Sequence, residues 1–186
     1  MGPSGALACC FAHRPSLTAH PHPQPPPPAP RSSNVVTHGV RIKASALFMP
    51  EHPQCFTYSL RMSLVEGEHP DWEECQLFTR DIVLSNEPSD GTAPRVVHGE
   101  GVIGQHPVLS DAGYINADRH DYDTGQVEDG EFVYQSCSGY LGADGGFFEG
   151  HLDFVPGAGE LDNLPASIRV AIGRFPLTWG VRGFVY

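Results

Sequence analysis

The amino-acid sequence predicts an all-β protein that folds as an antiparallel β-sandwich. Apolar and polar residues alternate through FTYSLRMSL, Phe56–Leu64, with the period of a strand that has one buried face. Other short runs of this kind are separated by stretches rich in glycine and proline, of which the chain has 21 and 18. No segment shows the period of an amphipathic helix. About seven short strands with turns between them are typical of a sandwich.

Each strand is predicted from its own local pattern. The alternating segments are 40–45, 56–64, 148–154 and 167–172. Two more apolar and β-rich segments, CQLFTRDIVL (75–84) and EFVYQS (131–136), are predicted to lie nearer the middle of a sheet. Shorter strands are predicted at 95–97 and 107–109, on either side of a glycine-rich loop.

Composition and charge exclude several classes of partner. The chain has 186 residues, which suits one ordinary domain, and a formal net charge of −11. A negative surface argues against binding nucleic acid or an anionic membrane. No run approaches the roughly 18 apolar residues of a membrane helix. The five cysteines show no CxxC spacing, so we expect reduced thiols in an intracellular protein, cytoplasmic or nuclear.

The first 34 residues differ from the rest of the chain. HPHPQPPPPAPRSSN is rich in proline, favours polyproline II and cannot form a core, so residues 1–34 are predicted to be a disordered tail. The segment has no acidic residue, which leaves a transit peptide for a plastid or other organelle as an alternative. A ligand for a proline-reading domain is a third interpretation. The folded domain is predicted to span residues 35–186.

A loop of the sequence HGEGVIGQHPVL carries glycines at the GxGxxG spacing, namely Gly99, Gly101 and Gly104. In dinucleotide-binding folds a strand leads into such glycines and a helix begins at them. Here Pro107 follows closely and favours an extended chain, and the charge of Glu100 would oppose a phosphate. The loop is therefore predicted to be a turn or bulge between two strands.

Four motifs, taken in order, resemble those of the ApaG domain family over about residues 35–177. GEGVIGQHPVL is similar to the family's Gly-x-Gly-Val-Val-Gly-x-x-Pro-x-Leu loop, and GEFVYQS to its Gly-Glu-x-Phe-x-Tyr-x-Ser segment. Gly146, Phe148 and Gly150 match a Gly-x-Met-x-Gly strand with Phe in place of Met, and RFPL matches the closing element. The strands 56–64 and 75–84 are similar to the version attached to plant and animal F-box proteins.

The resemblance implies an immunoglobulin-like or fibronectin type III-like sandwich that recognises a protein partner or a small ligand. It implies no enzymatic activity and no cofactor, and a relation to the substrate-recognition modules of F-box ubiquitin-ligase adaptors. An alternative is a small-ligand or cation-homeostasis protein of the bacterial kind, linked to cobalt and magnesium, with nucleotide or pyrophosphate bound at the glycine loop. The candidate ligand contacts are Gly99, Glu100, Gly101, Gly104 and Arg80.

Arg80 is the charged residue of an otherwise apolar strand. Its neighbour Asp81 should point to the opposite face of the sheet, so the two cannot pair with each other. The Arg80 guanidinium is expected to meet an acid on a neighbouring strand or to contact an anion on a binding face. The family's Arg-His-Trp triplet reads Arg80-Asp81-Ile82 here, so only the arginine is kept.

An insertion at about residues 110–129 is rich in acidic side chains. Asp118, Asp121 and Asp123 are weak candidates for Ca²⁺ or Mg²⁺, but the spacing departs from an EF-hand loop. We therefore expect a solvated acidic loop and no metal site. We also expect no covalent catalysis, because no GxSxG elbow or cysteine signature surrounds the serines and cysteines.

Both ends of the chain leave alternatives open. The N-terminal segment is too short for an F-box domain, so the sequence is read either as a stand-alone version or as a fragment of a longer F-box-type protein. The C-terminal stretch TWGVRGFVY (178–186) is predicted to add an edge strand or to dock a partner.

Overall fold

A computed structural model of the chain describes residues 31–51, 56–69, 72–86, 91, 93–117, 127–139, 141, 145–157, 166–180 and 183–186. In these ranges the chain forms eleven β-strands and no helix. In chain order the strands are β1 (Ser32–Thr37), β2 (Val40–Phe48), β3 (Phe56–Leu64), β4 (Glu74–Asn86), β5 (Arg95–Glu100), β6 (Val108–Ser110), β7 (Gly113–Ile115), β8 (Val127–Glu128), β9 (Phe132–Cys137), β10 (Gly146–Pro156) and β11 (Ile168–Leu177).

The strands form two antiparallel sheets that pack on each other. A four-stranded sheet has the order β1-β2-β3-β9, and a seven-stranded sheet has the order β11-β10-β4-β6-β7-β8, with β5 also paired to β4. All pairs of named strands are antiparallel. The predicted β-sandwich is therefore confirmed.

Strand alternation fills the space between the sheets. In β3 the side chains of Tyr58, Leu60 and Met62 are buried, whereas Arg61 between them is partly exposed. Phe148 and Phe154 of β10 are fully buried from the opposite sheet. Each such side chain contributes about 1.5–3 kcal/mol by leaving water. The core thus forms where the period-two pattern predicts it.

The strand predicted at 75–84 lies in the middle of its sheet, as expected. β4 pairs with β10 along one edge and with β5 and β6 along the other. The same prediction for EFVYQS was wrong. Among the described strands β9 pairs only with β3, at the end of the four-stranded sheet, and Val133 is 44% exposed. Its outward apolar side chain therefore faces solvent and not a second layer.

Strand β1 begins three residues before position 35, where the folded domain is predicted to start. β1 starts at Ser32, and Ser32–Asn34 pair with residues 43–45 of β2. Polar residues flank the start of β1, so no apolar alternation marks it. β1 then lies against β11, where Gly173 leaves room for the side chain of Ser33. This contact joins the two sheets along one side of the sandwich.

The flanks of the insertion extend the seven-stranded sheet. β6 and β7 form a hairpin through Asp111 and Ala112, and β8 pairs with β7. Tyr114 donates a hydrogen bond to Glu128 at 2.5 Å across the last pair. These strands are two or three residues long, too short for a sequence pattern to predict.

The C-terminal stretch folds back onto its own chain. Trp179 packs on Phe48 and Phe56, with ring centroids 4.5 and 5.1 Å away. The Val185 N–H donates to Ser45 Oγ at 2.9 Å, and residues 184–186 form no strand. The predicted edge strand is therefore not formed by these residues. The described part of the chain has no helix of the length and apolar character needed to cross a membrane.

Candidate functional site

The glycine loop is a tight turn between β5 and β6, here named the glycine turn (Gly101–Gln105). The Gly101 N–H donates to the Phe78 carbonyl at 2.7 Å. Val102 and Gln105 exchange two backbone hydrogen bonds of 2.8 and 3.0 Å. After Pro107 the chain enters β6, so the prediction of an extended chain at this point is confirmed.

This geometry differs from a phosphate-binding loop in two ways. A phosphate site of that type needs several N–H groups that point outward at the start of a helix. In the glycine turn the N–H groups of Gly101, Val102 and Gln105 already donate to carbonyl oxygens of the chain. Residues 93–117 are all described and contain no helix. The glycines therefore shape the backbone.

Gly101 is required for this shape. Its φ is +50°, in the left-handed region that favours glycine. A Cβ at this position would lie 2.3 Å from the carbonyl oxygen of Gln105 and 3.0 Å from the ring of His106. The His106 ring is buried and donates from Nδ1 to the Leu77 carbonyl at 3.0 Å, so it has little room to move.

Hydrogen bonds from Arg80 attach the glycine turn to the central strand β4. Its guanidinium lies over Gly99, directly opposite in β5, where a Cβ would come within 2.9 Å. From there it donates to the Glu100 carbonyl at 3.2 Å and to the Gly101 carbonyl. The acceptors are main-chain oxygens, where the sequence led us to expect an acidic side chain. The structure thus brings Arg80 of β4 against Gly99, Glu100 and Gly101, and Gly104 lies three residues further on in the glycine turn.

Ile103 is the residue of this turn that the sequence analysis missed. Its side chain is 73% exposed, and its φ is +51°. A β-branched residue seldom adopts a left-handed conformation, and the strain is of order 1–3 kcal/mol. Backbone strain of this kind clusters at sites that bind ligands, so Ile103 is a candidate contact residue. Sequence spacing drew attention to the glycines and gave no sign that the residue between them projects into solvent.

The strand β5 leads into the glycine turn and forms an edge of the sheet. Among the described strands it pairs only with β4. Val96 in the middle of β5 is 58% exposed. An exposed strand edge offers main-chain donors and acceptors to a second chain. The glycine turn and β5 together form a surface, here named the turn surface (95–105), that presents both apolar side chains and backbone groups.

A second group of side chains lies on the outer face of the seven-stranded sheet. It is named the acid–histidine cluster and consists of Asp81, His98, His151 and Asp153. Asp81 of β4 stands directly opposite His98 of β5 and His151 of β10. Asp153 lies two residues beyond His151 and therefore points to the same face. As predicted, Arg80 and Asp81 point to opposite faces and have different partners.

The members of the acid–histidine cluster are in direct contact. His98 Nδ1 lies 2.8 Å from Asp81 Oδ1, and His151 Nε2 lies 3.0 Å from Asp81 Oδ2. His151 Nε2 is also 3.9 Å from Asp153 Oδ2. The hydrogen bond from His98 lowers the pKa of the Asp81 carboxyl. Partial burial opposes this change, whereas positive charge on His98 or His151 lowers that pKa further. Asp81 is therefore held ionised.

Gly150 allows the strands to approach at this cluster. Its φ is +152°, and a Cβ would lie 2.1 Å from the carbonyl oxygen of Asp81. The register of β10 against β11 shifts between Phe148 and Gly150, which marks a bulge. His151 follows at once and is aligned with Asp81. The sequence analysis missed this cluster because its members are far apart in the chain and no motif spacing connects them.

The weak metal candidates of the sequence, Asp118, Asp121 and Asp123, lie outside the described residues. Glu128, at the end of the same insertion, accepts the hydrogen bond from Tyr114. Among the cysteines, Cys75 is buried in the core, and burial raises the pKa of its thiol. A buried, protonated thiol is a poor nucleophile.

Comparison with known proteins reveals a relative in plants. The chain is 34% identical over 158 residues to F-box protein SKIP16 of Arabidopsis thaliana, an alignment that covers 76% of this chain and 30% of the relative. The chain therefore spans about a third of the length of that protein. No family model matches the sequence.

Two solved structures have the same fold. A protein described as ApaA from Bordetella pertussis superposes with a TM-score of 0.53 at 18% identity, covering 81% of this chain and 98% of that one. The X-ray structure of structural genomics target SoR45 gives a TM-score of 0.52 at 17% identity, covering 82% and 96%. The chain is thus a β-sandwich with the fold of these structures, related in sequence to a plant F-box protein.

Proposed function

We propose that this chain is an ApaG-like recognition domain that binds a protein partner through the turn surface (95–105). The observation that carries the proposal is Ile103, exposed and strained at the tip of a fixed turn. The chain would serve inside the cell as a substrate-recognition module related to those of F-box ubiquitin-ligase adaptors. It would have no enzymatic activity of its own.

The energetics of Ile103 favour binding. Leaving the side chain in water forgoes the roughly 1.5–3 kcal/mol that burial of an isoleucine provides. The left-handed backbone adds strain that the surrounding hydrogen bonds hold in place. Arg80 and the cross-turn bonds fix the turn before any partner arrives, so binding would order little of the chain. A rigid apolar anchor of this kind is suited to a small hydrophobic pocket on a partner.

The adjacent edge of β5 indicates how the partner would be held. An extended segment of the partner can add to an exposed strand edge through main-chain hydrogen bonds, while side-chain pockets give specificity. Val96 would contribute a second apolar contact along β5. The net charge of −11 would favour approach of a partner that carries basic residues.

The sequence relationship supports the type of partner. The relative that aligns over 76% of this chain is named an F-box protein. The chain folds as a domain and exposes Ile103 as an apolar anchor, features that would suit the selection of a target protein. Nucleotide or pyrophosphate binding at the glycine turn is a weaker proposal, because three of its N–H groups already donate within the chain.

Site-specific photocrosslinking tests the proposal. Benzoylphenylalanine would be placed at position 105 in the full chain, where the exposed Gln105 lies beside Ile103 and leaves that side chain intact. Position 133 is the control, since Val133 is also exposed but lies on the other sheet. In extract from cells that express the protein, we expect position 105 to capture a protein that excess unlabelled chain displaces. Position 133 should not capture it. Equal labelling from both positions, or none from 105, would overturn the proposal.

A further inference from the structure

Three donor atoms converge on one point of the outer sheet face. Asp81 Oδ2 and His151 Nε2 are 3.0 Å apart, His151 Nε2 and Asp153 Oδ2 are 3.9 Å apart, and all three atoms lie within 4.8 Å of one another. Ligand atoms that each lie about 2.1 Å from one metal ion are separated by about 3.0–3.5 Å at octahedral or tetrahedral angles. Small side-chain rotations would bring the three atoms to those separations.

The other oxygen of each carboxylate is already held by a neighbour. His98 binds Asp81 Oδ1 at 2.8 Å, and Arg169 of β11 donates from Nε to Asp153 Oδ1 at 3.1 Å. The two remaining oxygens, Oδ2 of each aspartate, are turned towards His151. Such outer contacts orient ligands in metal sites. Thr79 also donates to Asp153 Oδ2 at 3.1 Å, which fixes that oxygen on the same side.

His151 Nε2 has carboxylate neighbours but no well-formed hydrogen bond. The atom is shut off from solvent and makes no hydrogen bond of acceptable geometry, although Asp81 Oδ2 is near it. A buried polar atom without a hydrogen bond is costly. An imidazole nitrogen that faces two carboxylate oxygens would be satisfied by a cation placed between the three.

We propose that Asp81, His151 and Asp153 form a binding site for a divalent transition-metal ion such as Zn²⁺. One imidazole with two carboxylates suits Zn²⁺ and similar first-row ions, whereas Ca²⁺ and Mg²⁺ prefer sites made entirely of oxygen. Three protein ligands leave an open coordination position for water or for a group from a bound partner. The three ligands lie outside the turn surface, of which only His98 touches the site, through Asp81. The metal proposal does not depend on the proposed protein recognition.

Calorimetric titration of the full chain with Zn²⁺ tests the site, with Mg²⁺ and Ca²⁺ as comparison ions. We expect one Zn²⁺ bound per chain with a Kd below about 100 μM. His151→Gln and Asp153→Asn, measured separately, should each weaken that binding by at least about tenfold. Circular dichroism would verify that both variants keep the β fold.

Two control variants keep the test specific. His69→Gln removes another histidine, which lies 3.2 Å from Asp111 and belongs to no group of three metal-ligating side chains among the described residues, and it should leave Zn²⁺ affinity unchanged. The double variant His20→Gln/His22→Gln removes the histidine pair of the proline-rich segment and should also bind normally. Zn²⁺ binding lost only in the second control, absent in the parent chain, or matched by Mg²⁺ or Ca²⁺ would overturn the proposal.

Discussion

At the scale of single residues, the glycine turn combines two opposite uses of the left-handed backbone. Gly101 can adopt it because glycine has no Cβ, and a Cβ at this position would collide with the Gln105 carbonyl. Ile103 adopts it although its branched side chain disfavours it. The first residue is explained by packing alone. The second is not, since its side chain is mostly in water, and for this reason the proposed partner contact is assigned to Ile103.

Gly101→Ala is expected to destabilise the fold by about 1–3 kcal/mol, because it combines backbone strain with a steric clash. Thermal denaturation should show a Tm lower by about 2–4 °C for each kcal/mol. Gly104→Ala is the matched control: its φ is +74°, but no atom lies within 4 Å of the added Cβ, so the loss should be clearly smaller. Equal melting of the two variants would argue that the clash at Gly101 is relieved.

Ile103→Asn is expected to keep or raise stability, by up to about 1 kcal/mol, because asparagine tolerates the left-handed region. Little burial is lost, since the isoleucine is 73% exposed. Urea denaturation of parent and variant would measure the difference. A marked loss of stability would mean that Ile103 contributes to packing, and the argument for its role in binding would fail.

At the scale of elements, Arg80 connects the central strand to the glycine turn. Its two hydrogen bonds to carbonyl oxygens join β4 to the end of β5. Hydrogen bonds from a charged donor contribute about 1.5–3 kcal/mol each when buried. The turn therefore depends on a residue that precedes it by twenty positions in the chain.

Arg80→Gln should destabilise the chain by about 1–3 kcal/mol and speed amide exchange in the turn. Hydrogen exchange of the Gly101 and Val102 amides reports the local effect, because both donate within the chain. Arg80→Lys keeps the charge without the planar fork and should give an intermediate result. Unchanged exchange at these amides in Arg80→Gln would show that the turn holds its shape without the arginine.

The C-terminal stretch is a second element tied down by specific contacts. Trp179 lies edge-on to Phe48 and beside Phe56. Trp179→Ala should cost about 1–3 kcal/mol, from the lost aromatic pairs and the exposure of phenylalanine surface. Chemical denaturation measures this cost, with Tyr186→Ala as the comparison. Within the described part of the chain the Tyr186 ring contacts the Arg61 guanidinium and the Phe184 ring. An equal cost for both would contradict the assignment of the anchor to Trp179.

The sequence predicts the strands whose residues alternate regularly or are rich in β-forming types. It does not predict the strands that form only because they pair with a neighbouring strand. β3, β4 and β10 follow from alternation or β-rich composition, and Pro107 correctly predicts that the chain continues as a strand. β1 and the short β7 and β8 form because a neighbouring strand offers hydrogen bonds, which no local pattern records. The edge position of β9 likewise depends on sheet order and not on its own apolar residues.

At the scale of the whole molecule, two surfaces arise from one sheet. β4 carries Arg80 towards the glycine turn and Asp81 towards the outer face, so adjacent residues contribute to the two proposed sites. Residues of the turn surface could be predicted from the sequence, because they are contiguous in a recognisable glycine-rich loop. The acid–histidine cluster could not, since it requires the pairing of β4 with both β5 and β10.

The central claim is that the glycine turn is shaped for stability and displays Ile103 for a protein partner. The most direct measurement determines the Tm of the Ile103→Asn chain together with its affinity for the partner captured from position 105. The claim predicts a Tm equal to or above that of the parent chain and at least about a tenfold loss of partner affinity, a change of about 1.4 kcal/mol. Full retention of the partner by a stably folded Ile103→Asn chain would contradict it.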